Sequence, residues 1–131
     1  MPAQFPDDYL YHPDALWLRK LEAGDEALVG LSHYAQDRLG GIVYVDLPSI
    51  GSAIGAGTPF GIIESNKTAS DLIAPASGTV IACNADLDAD PGLVNTACYE
   101  AGWLIRIRID PADDDSALLS AEAYMKRIGA I

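Results

Sequence analysis

The chain has 131 residues, half of them hydrophobic, so it is long enough to bury a core and too apolar for a disordered protein. Its 19 acidic residues against 8 basic ones give a net charge of −11, which repels nucleic acid and anionic lipid and favours partners with basic surfaces. No stretch approaches the roughly 20 apolar residues of a membrane span. We therefore expect one domain over residues 1–131 that binds neither nucleic acid nor membrane.

The first half of the chain alternates short extended segments with glycine and proline turns. Residues 1–8 are acidic and lack the basic and apolar regions of a signal peptide, which predicts a complete cytoplasmic protein. Hydrophobic patterning predicts strands over residues 9–22, 26–31 and 42–45. Ser32 is suited to cap a short helix that Gly40 and Gly41 would end. A glycine-rich loop follows over residues 51–59.

The second half predicts a hairpin, two more strands and a final helix. Residues 60–64 and 71–74 would form the hairpin arms, residues 78–82 and 103–109 the strands, and Ser120 would cap the helix. The acidic runs at residues 86–90 and 110–115 are predicted to be solvated loops. Short strands separated by such turns predict a mainly β fold, a flattened barrel or sandwich of two small antiparallel sheets with a short helix and a C-terminal helix.

One lysine lies at the tip of the predicted hairpin. Ile62 and Ile63 precede the turn and favour extended structure, whereas Ser65 and Asn66 favour a tight reversal. Lys67 at such a tip cannot be buried, so its amine is expected to be open to a modifying enzyme.

The hairpin resembles the lipoylation site of the glycine cleavage H-protein family. That site is usually written E-S-V-K-A-x-S-D, and the chain has E-S-N-K-T-A-S-D at residues 64–71. Other segments are similar to the family's G-I-T-x-Y-A-Q-x-x-L-G, V-V-F-V-E-L-P, P-x-L-V-N, G-W-L-x-K-I and S-A-x-x-Y patterns, at residues 30–40, 42–48, 91–95, 102–107 and 120–124. The resemblance covers roughly residues 9–128 in the family's order and spacing.

The resemblance implies a carrier and not an enzyme. Lys67 would hold lipoic acid covalently, as a group carrier and two-electron couple. Glu64, Ser65 and Asp71 would flank the arm and guide its attachment by a lipoate ligase or lipoyl transferase. The remaining implied partners are the pyridoxal-phosphate glycine decarboxylase, the aminomethyltransferase and the dihydrolipoyl dehydrogenase, between which the arm would move an aminomethyl group.

One departure from the family bears on the carried group. The family's N-terminal H-E-W stands here as Ala15, Leu16 and Trp17. The resemblance implies that the glutamate helps to bind the aminomethyl group in an arm cleft, whose counterparts here are Asp14, Leu16 and His33. Leucine offers no carboxylate to an amine. Asp14 is the nearest replacement, because residues two apart share one strand face.

Other functions remain open from the sequence. The chain is also similar to H-like lipoate-binding proteins of bacterial sulfur oxidation, which would carry sulfur for a heterodisulfide-reductase-like complex. A non-lipoylated relay for lipoyl transfer is a third hypothesis. An enzyme is the least favoured class, because no nucleophile set, phosphate loop or metal site is evident. Cys83 and Cys98 lack metal-site spacing; we interpret them as a small core residue and a loop thiol.

Overall fold

The structure, a computed structural model, describes residues 9–12, 16–21, 25–110 and 118–128. Its strands are β1 (Leu10–Tyr11), β2 (Leu16–Lys20), β3 (Glu26–Leu31), β4 (Ile42–Asp46), β5 (Ala53–Ile54), β6 (Pro59–Ser65), β7 (Ala69–Ile73), β8 (Gly78–Cys83) and β9 (Ile105–Ile109). Its helices are α1 (His33–Leu39), α2 (Asp86–Ala89), α3 (Leu93–Thr96) and α4 (Ala121–Arg127). None of these helices is long and apolar enough to cross a bilayer.

Two antiparallel sheets enclose the main core. The larger sheet has the strand order β1-β2-β3-β9-β8-β5, and the smaller has the order β4-β6-β7. Both contribute to one hydrophobic cluster, in which Val29 and Ile107 of the larger sheet meet Ile63 and Leu72 of the smaller. The prediction of a mainly β fold of two antiparallel sheets, with a short helix and a C-terminal helix, is confirmed.

A second, aromatic cluster holds the first strand to the last helix. The rings of Tyr11 and Tyr124 stack with their centroids 4.9 Å apart. Tyr11 and Leu119 exchange backbone hydrogen bonds of 2.8 and 2.7 Å, and the Tyr124 hydroxyl lies 2.9 Å from Ser32 Oγ. α4 is therefore docked through specific contacts that also reach the residue preceding α1.

The two predicted strands that contain the tryptophans have different bounds in the structure. The single strand over residues 9–22 is wrong, because β1 and β2 pair antiparallel with Leu10 opposite Leu18 and Tyr11 opposite Trp17. That pairing lets both Tyr11 and Trp17 bury completely. The strand predicted from residue 103 begins at Ile105, and Trp103 instead packs half-buried against the aromatic cluster.

Two predicted loops contain regular structure. The acidic run at residues 86–90 was expected to be a solvated loop. Its aspartates are exposed, but residues 86–89 form α2, since Leu87 is buried in the core and anchors the turn. The glycine-rich loop contains β5, which pairs with β8. The second acidic run, residues 110–115, lies outside the described residues except for Asp110.

Candidate functional site

Lys67 projects from a turn that a single serine side chain closes. β6 ends at Ser65 and β7 begins at Ala69, so three exposed residues form the tip. Ser65 is itself buried, and its Oγ accepts hydrogen bonds from the backbone N–H groups of Lys67 at 3.3 Å and Thr68 at 3.1 Å. The Ser65 N–H donates to the Thr68 carbonyl at 2.8 Å. The lysine therefore starts from a fixed backbone position although its side chain is exposed.

The hairpin tip rests on the two glycines that end α1. Ser32 caps the helix by accepting from the Ala35 N–H, as predicted. Gly40 ends it at a φ of 85°, a left-handed conformation that favours glycine. The Asn66 N–H donates to the Gly41 carbonyl at 3.0 Å. This bond joins the hairpin to the end of α1.

The Lys67 side chain lies against Gly40. A Cβ placed on Gly40 would come 3.2 Å from Lys67 Cε and 3.6 Å from Lys67 Nζ. A larger residue there would push the lysine stem away, in addition to straining the backbone. Among the residues that the structure describes, Lys67 forms no ion pair, so no carboxylate competes for its amine.

Asn95 holds the Gly40–Gly41 segment in place. Its Nδ2 donates to Gln36 Oε1 at 3.0 Å and to the Gly40 carbonyl at 2.8 Å, while its Oδ1 accepts from the Ile42 N–H at 2.8 Å. The Asn95 amide thus joins Gln36 within α1, Gly40 after the helix and Ile42 at the start of β4. The sequence alone predicts no role for Asn95, which lies within the P-x-L-V-N pattern.

Replacing Asn95 with alanine is expected to loosen the support under Lys67. The change removes three hydrogen bonds and leaves partly buried groups unpaired, which costs about 1–3 kcal/mol of unfolding free energy. We expect faster hydrogen exchange at the Asn66 amide to accompany this loss, because its bond to the Gly41 carbonyl opens more often. Thr96→Ala is the matched control, since Thr96 is the exposed next residue of α3 and its hydroxyl donates to the Gly92 carbonyl at the start of the same helix. Equal stability of Asn95→Ala and Thr96→Ala would contradict the assignment.

The structure places the two predicted flanking carboxylates on one exposed sheet face. Glu64 lies opposite Tyr44 on one side and Ala69 on the other, and Asp71 lies opposite Ile62. Both carboxylates are exposed on the strands that lead to and from Lys67. Ser65, predicted with them as a recognition residue, instead faces inward and closes the turn.

Two of the three residues predicted for the arm cleft lie in the described part of the structure. His33 begins α1, at the opposite end of the helix from Gly40, and its Nδ1 lies 3.3 Å from Gln36 Nε2. Leu16 pairs with Leu31 and is 1% exposed within the main core, so it offers no open wall. Asp14 lies outside the described residues. The assignment of these residues to an arm cleft stays a prediction.

Neither cysteine suits redox or metal chemistry. Burial raises the pKa of the Cys98 thiol to about 11. Burial, aided by the Asp88 carboxylate, also raises the pKa of Cys83, which is half-buried and donates to the Pro48 carbonyl. Both thiols therefore stay protonated near neutral pH and are poor nucleophiles. Within the described ranges, no group of three or more His, Cys, Asp or Glu residues could hold a metal ion.

Comparisons with known proteins show the family of the chain. The sequence profile of the family described as "Glycine cleavage H-protein" matches residues 9–131. The glycine cleavage system H protein of Opitutus terrae is 48% identical over 124 residues, covering 95% of this chain and 97% of the relative. That of Aeromonas salmonicida is 44% identical over 126 residues, covering 96% and 97%. The crystal structure of a glycine cleavage system H protein from Mycobacterium marinum superposes with a TM-score of 0.87 at 37% identity, covering 95% of this chain and 98% of that chain. The chain therefore belongs to the glycine cleavage H-protein family, which consists of lipoyl carrier subunits and not of enzymes.

Proposed function

We propose that Lys67 carries lipoic acid in amide linkage and that the chain moves a group between enzymes on this arm. The observation that carries the proposal is the presentation of Lys67. Ser65 Oγ holds its backbone N–H and the Gly41 carbonyl holds that of Asn66, while the Lys67 side chain is exposed and forms no ion pair with the described residues. A carrier needs such a fixed origin, because a flexible arm reaches several active sites only from a defined place. Glu64 and Asp71 are the proposed recognition residues for the attaching enzyme.

The group that we propose is an aminomethyl unit from glycine. The family of the chain and its two relatives at 44% and 48% identity, both glycine cleavage system H proteins, support this choice. The partners would be a pyridoxal-phosphate glycine decarboxylase, an aminomethyltransferase and a dihydrolipoyl dehydrogenase. Bound lipoate would supply the dithiol chemistry. A cytoplasmic location is proposed as well, since the free thiols of Cys83 and Cys98 suit a reducing compartment.

A second function is favoured by one observation, the leucine at position 16. The resemblance implies a glutamate there that binds the amine of the carried group, and Leu16 is a buried core residue instead. A carrier of sulfur-bound intermediates for a heterodisulfide-reductase-like complex needs no such carboxylate. This lipoate-binding function in sulfur oxidation is the alternative candidate.

Glycine–bicarbonate exchange with a purified bacterial glycine decarboxylase distinguishes the aminomethyl carrier from the sulfur carrier. We expect lipoylated wild-type protein to support exchange less well than the Opitutus terrae relative, because a missing charge-assisted contact costs roughly 1.5–3 kcal/mol, or tenfold and more in binding. Leu16→Glu is expected to raise exchange above Leu16→Gln. Glutamine matches glutamate in size and shape, so the carboxylate charge is the difference between the two variants. Because a buried charge costs more stability than a buried amide, circular dichroism melts must first show that both variants are folded.

The outcomes of this assay are distinct. Exchange by the wild type equal to that of the relative, with Leu16→Glu and Leu16→Gln alike, would refute the argument from Leu16 and leave the glycine function. An exchange rate at background for the lipoylated wild type and for both folded variants would instead refute the glycine function and leave the sulfur carrier as the candidate.

A further inference from the structure

The three-stranded sheet has an outer face next to Lys67 that no element in the described residues covers. The inward residues Val45, Ile63 and Leu72 are buried, and the residues that alternate with them point outward. We define the acidic-apolar face as two rows across β4, β6 and β7. The row nearer the hairpin tip is Tyr44, Glu64 and Ala69, and the next row is Asp46, Ile62 and Asp71.

This face places apolar side chains among carboxylates. Tyr44 is 52% exposed and Ile62 is 41% exposed, although large apolar side chains are usually buried. Three exposed carboxylates surround them, and no residue of the two rows is basic. Apolar residues with a charged rim are typical of a protein-binding surface, where the rim excludes water from the contacts at the centre.

The charge of the face determines what kind of partner fits. A second copy of the chain would bring the same carboxylates against these three, and the whole protein carries a net charge of −11. Like charges at an interface oppose association, whereas a basic surface is attracted and its encounter is accelerated. The face therefore fits a partner with an apolar patch surrounded by lysine or arginine.

We propose that the acidic-apolar face is the docking surface for the enzyme that attaches lipoate to Lys67. The inference rests on the proposed function of Lys67 as the lipoylated residue. It adds Tyr44, Asp46 and Ile62, which all lie outside the E-S-N-K-T-A-S-D run at residues 64–71. They would supply the contact area for the partner's basic and apolar surface.

The position of the reacting atom favours the attaching enzyme over the enzymes that use the finished lipoyl arm. The neutral Lys67 amine attacks the carbonyl carbon of lipoyl adenylate, which the enzyme makes from lipoate and ATP. A C–N bond forms, the C–O bond to AMP breaks with its electron pair leaving on the phosphate, and the amine loses one proton to solvent. The active site must therefore enclose Lys67 Nζ itself, whereas enzymes that use the finished arm meet its far end.

The distances along the hairpin allow one interface to cover both Lys67 and the acidic-apolar face. Glu64 and Ile62 are three and five residues before Lys67. At about 3.3 Å per residue they lie about 10–17 Å from the lysine along the strand. An ordinary interface of about 800 Å² per partner spans more than this. An enzyme bound at the hairpin tip thus also covers the acidic-apolar face.

The test uses a purified bacterial lipoate ligase with the unmodified protein as substrate. We expect the double variant Tyr44→Ser/Ile62→Ser to raise KM at least about tenfold with little change in kcat. The Kd of ligase and protein without ATP, measured by titration calorimetry, should rise by the same factor. Ile50→Ser is the matched control, because Ile50 is 68% exposed but lies in the loop before β5, where the next residue, Gly51, donates to Val80 of the larger sheet.

Charge is tested separately with Asp46→Asn. Raising the ionic strength from about 0.05 M to about 0.3 M should raise the wild-type KM and should raise that of Asp46→Asn less, because salt screens exposed charges. Glu122→Gln, which removes an exposed carboxylate from α4, should keep the wild-type salt dependence.

The results separate this inference from the proposed function. Lipoylation of the wild type with the same KM and Kd in every variant overturns the docking surface and leaves Lys67 as the modified residue. Failure of the ligase to modify the wild type overturns both. Circular dichroism melts confirm that the variants are folded, and if the double variant is not, Tyr44→Ser alone is measured against Ile50→Ser.

Discussion

Lys67→Arg is expected to abolish lipoylation completely. Arginine keeps the positive charge and a similar length, but its guanidinium stays protonated and cannot act as a nucleophile toward an activated acyl group. The other two lysines lack the site: Lys20 ends β2 on the larger sheet, and Lys126 lies in α4 with its Nζ 3.5 Å from Glu122. Intact mass spectrometry after incubation with ligase, ATP and lipoate should show one added lipoyl group in the wild type and none in Lys67→Arg.

Lys126→Arg is the control for this experiment. It makes the same chemical change at an exposed position of α4, so the variant should be lipoylated to the wild-type extent. A lipoyl group that persists on Lys67→Arg, or that is lost from Lys126→Arg, would show that the modified residue was assigned wrongly. Two groups on the wild type would show that the hairpin context does not select the lysine.

Trp17→Ala is expected to cause the largest loss of stability of any variant considered. Trp17 is fully buried, its ring centroid lies 4.9 Å from that of Tyr9, and its Nε1 donates to the Cys98 carbonyl at 2.9 Å. A Cβ placed on Gly30 would come within 2.4 Å of the indole, so the ring lies directly on that backbone. The cavity left by truncation costs about 3–5 kcal/mol of unfolding free energy, a large share of the stability of a small domain.

Urea denaturation measures this loss of stability, and two further variants show which contacts cause it. Trp17→Phe keeps an aromatic ring but leaves the Cys98 carbonyl without its donor, so a smaller loss of about 1–3 kcal/mol is expected. Trp103→Ala should also cost less than Trp17→Ala, because Trp103 is only half-buried. A Trp17→Ala protein with the wild-type midpoint would mean that the aromatic cluster contributes little to folding.

Local patterns predicted most of the strands and both longer helices. The caps of α1 and α4 were found because Ser32 and Ser120 each bond an N–H three residues ahead, within the reach of a sequence motif. The hairpin tip was found for the same reason, since Ser65 closes the turn with bonds to the two residues that end it. Interactions that span two or three residues leave a signature in the sequence.

The misplaced strands show where local patterns are insufficient. Leu16, Trp17 and Leu18 are buried in succession, which alternation alone does not predict for a strand. β2 faces the main core on one side and the aromatic cluster on the other, so both of its faces are covered. Whether a strand has one buried face or two depends on elements distant in the chain.

The sequence by itself determined the mainly β class, the exposed hairpin lysine and, by resemblance, the family. Only the tertiary structure decided what supports that lysine and what lies beside it. Asn95 reaches Gln36 and Ile42 across separations of 59 and 53 residues, and Tyr44 joins Glu64 through strand pairing. Such contacts form because the core brings distant segments together, and no neighbouring residues in the chain specify them.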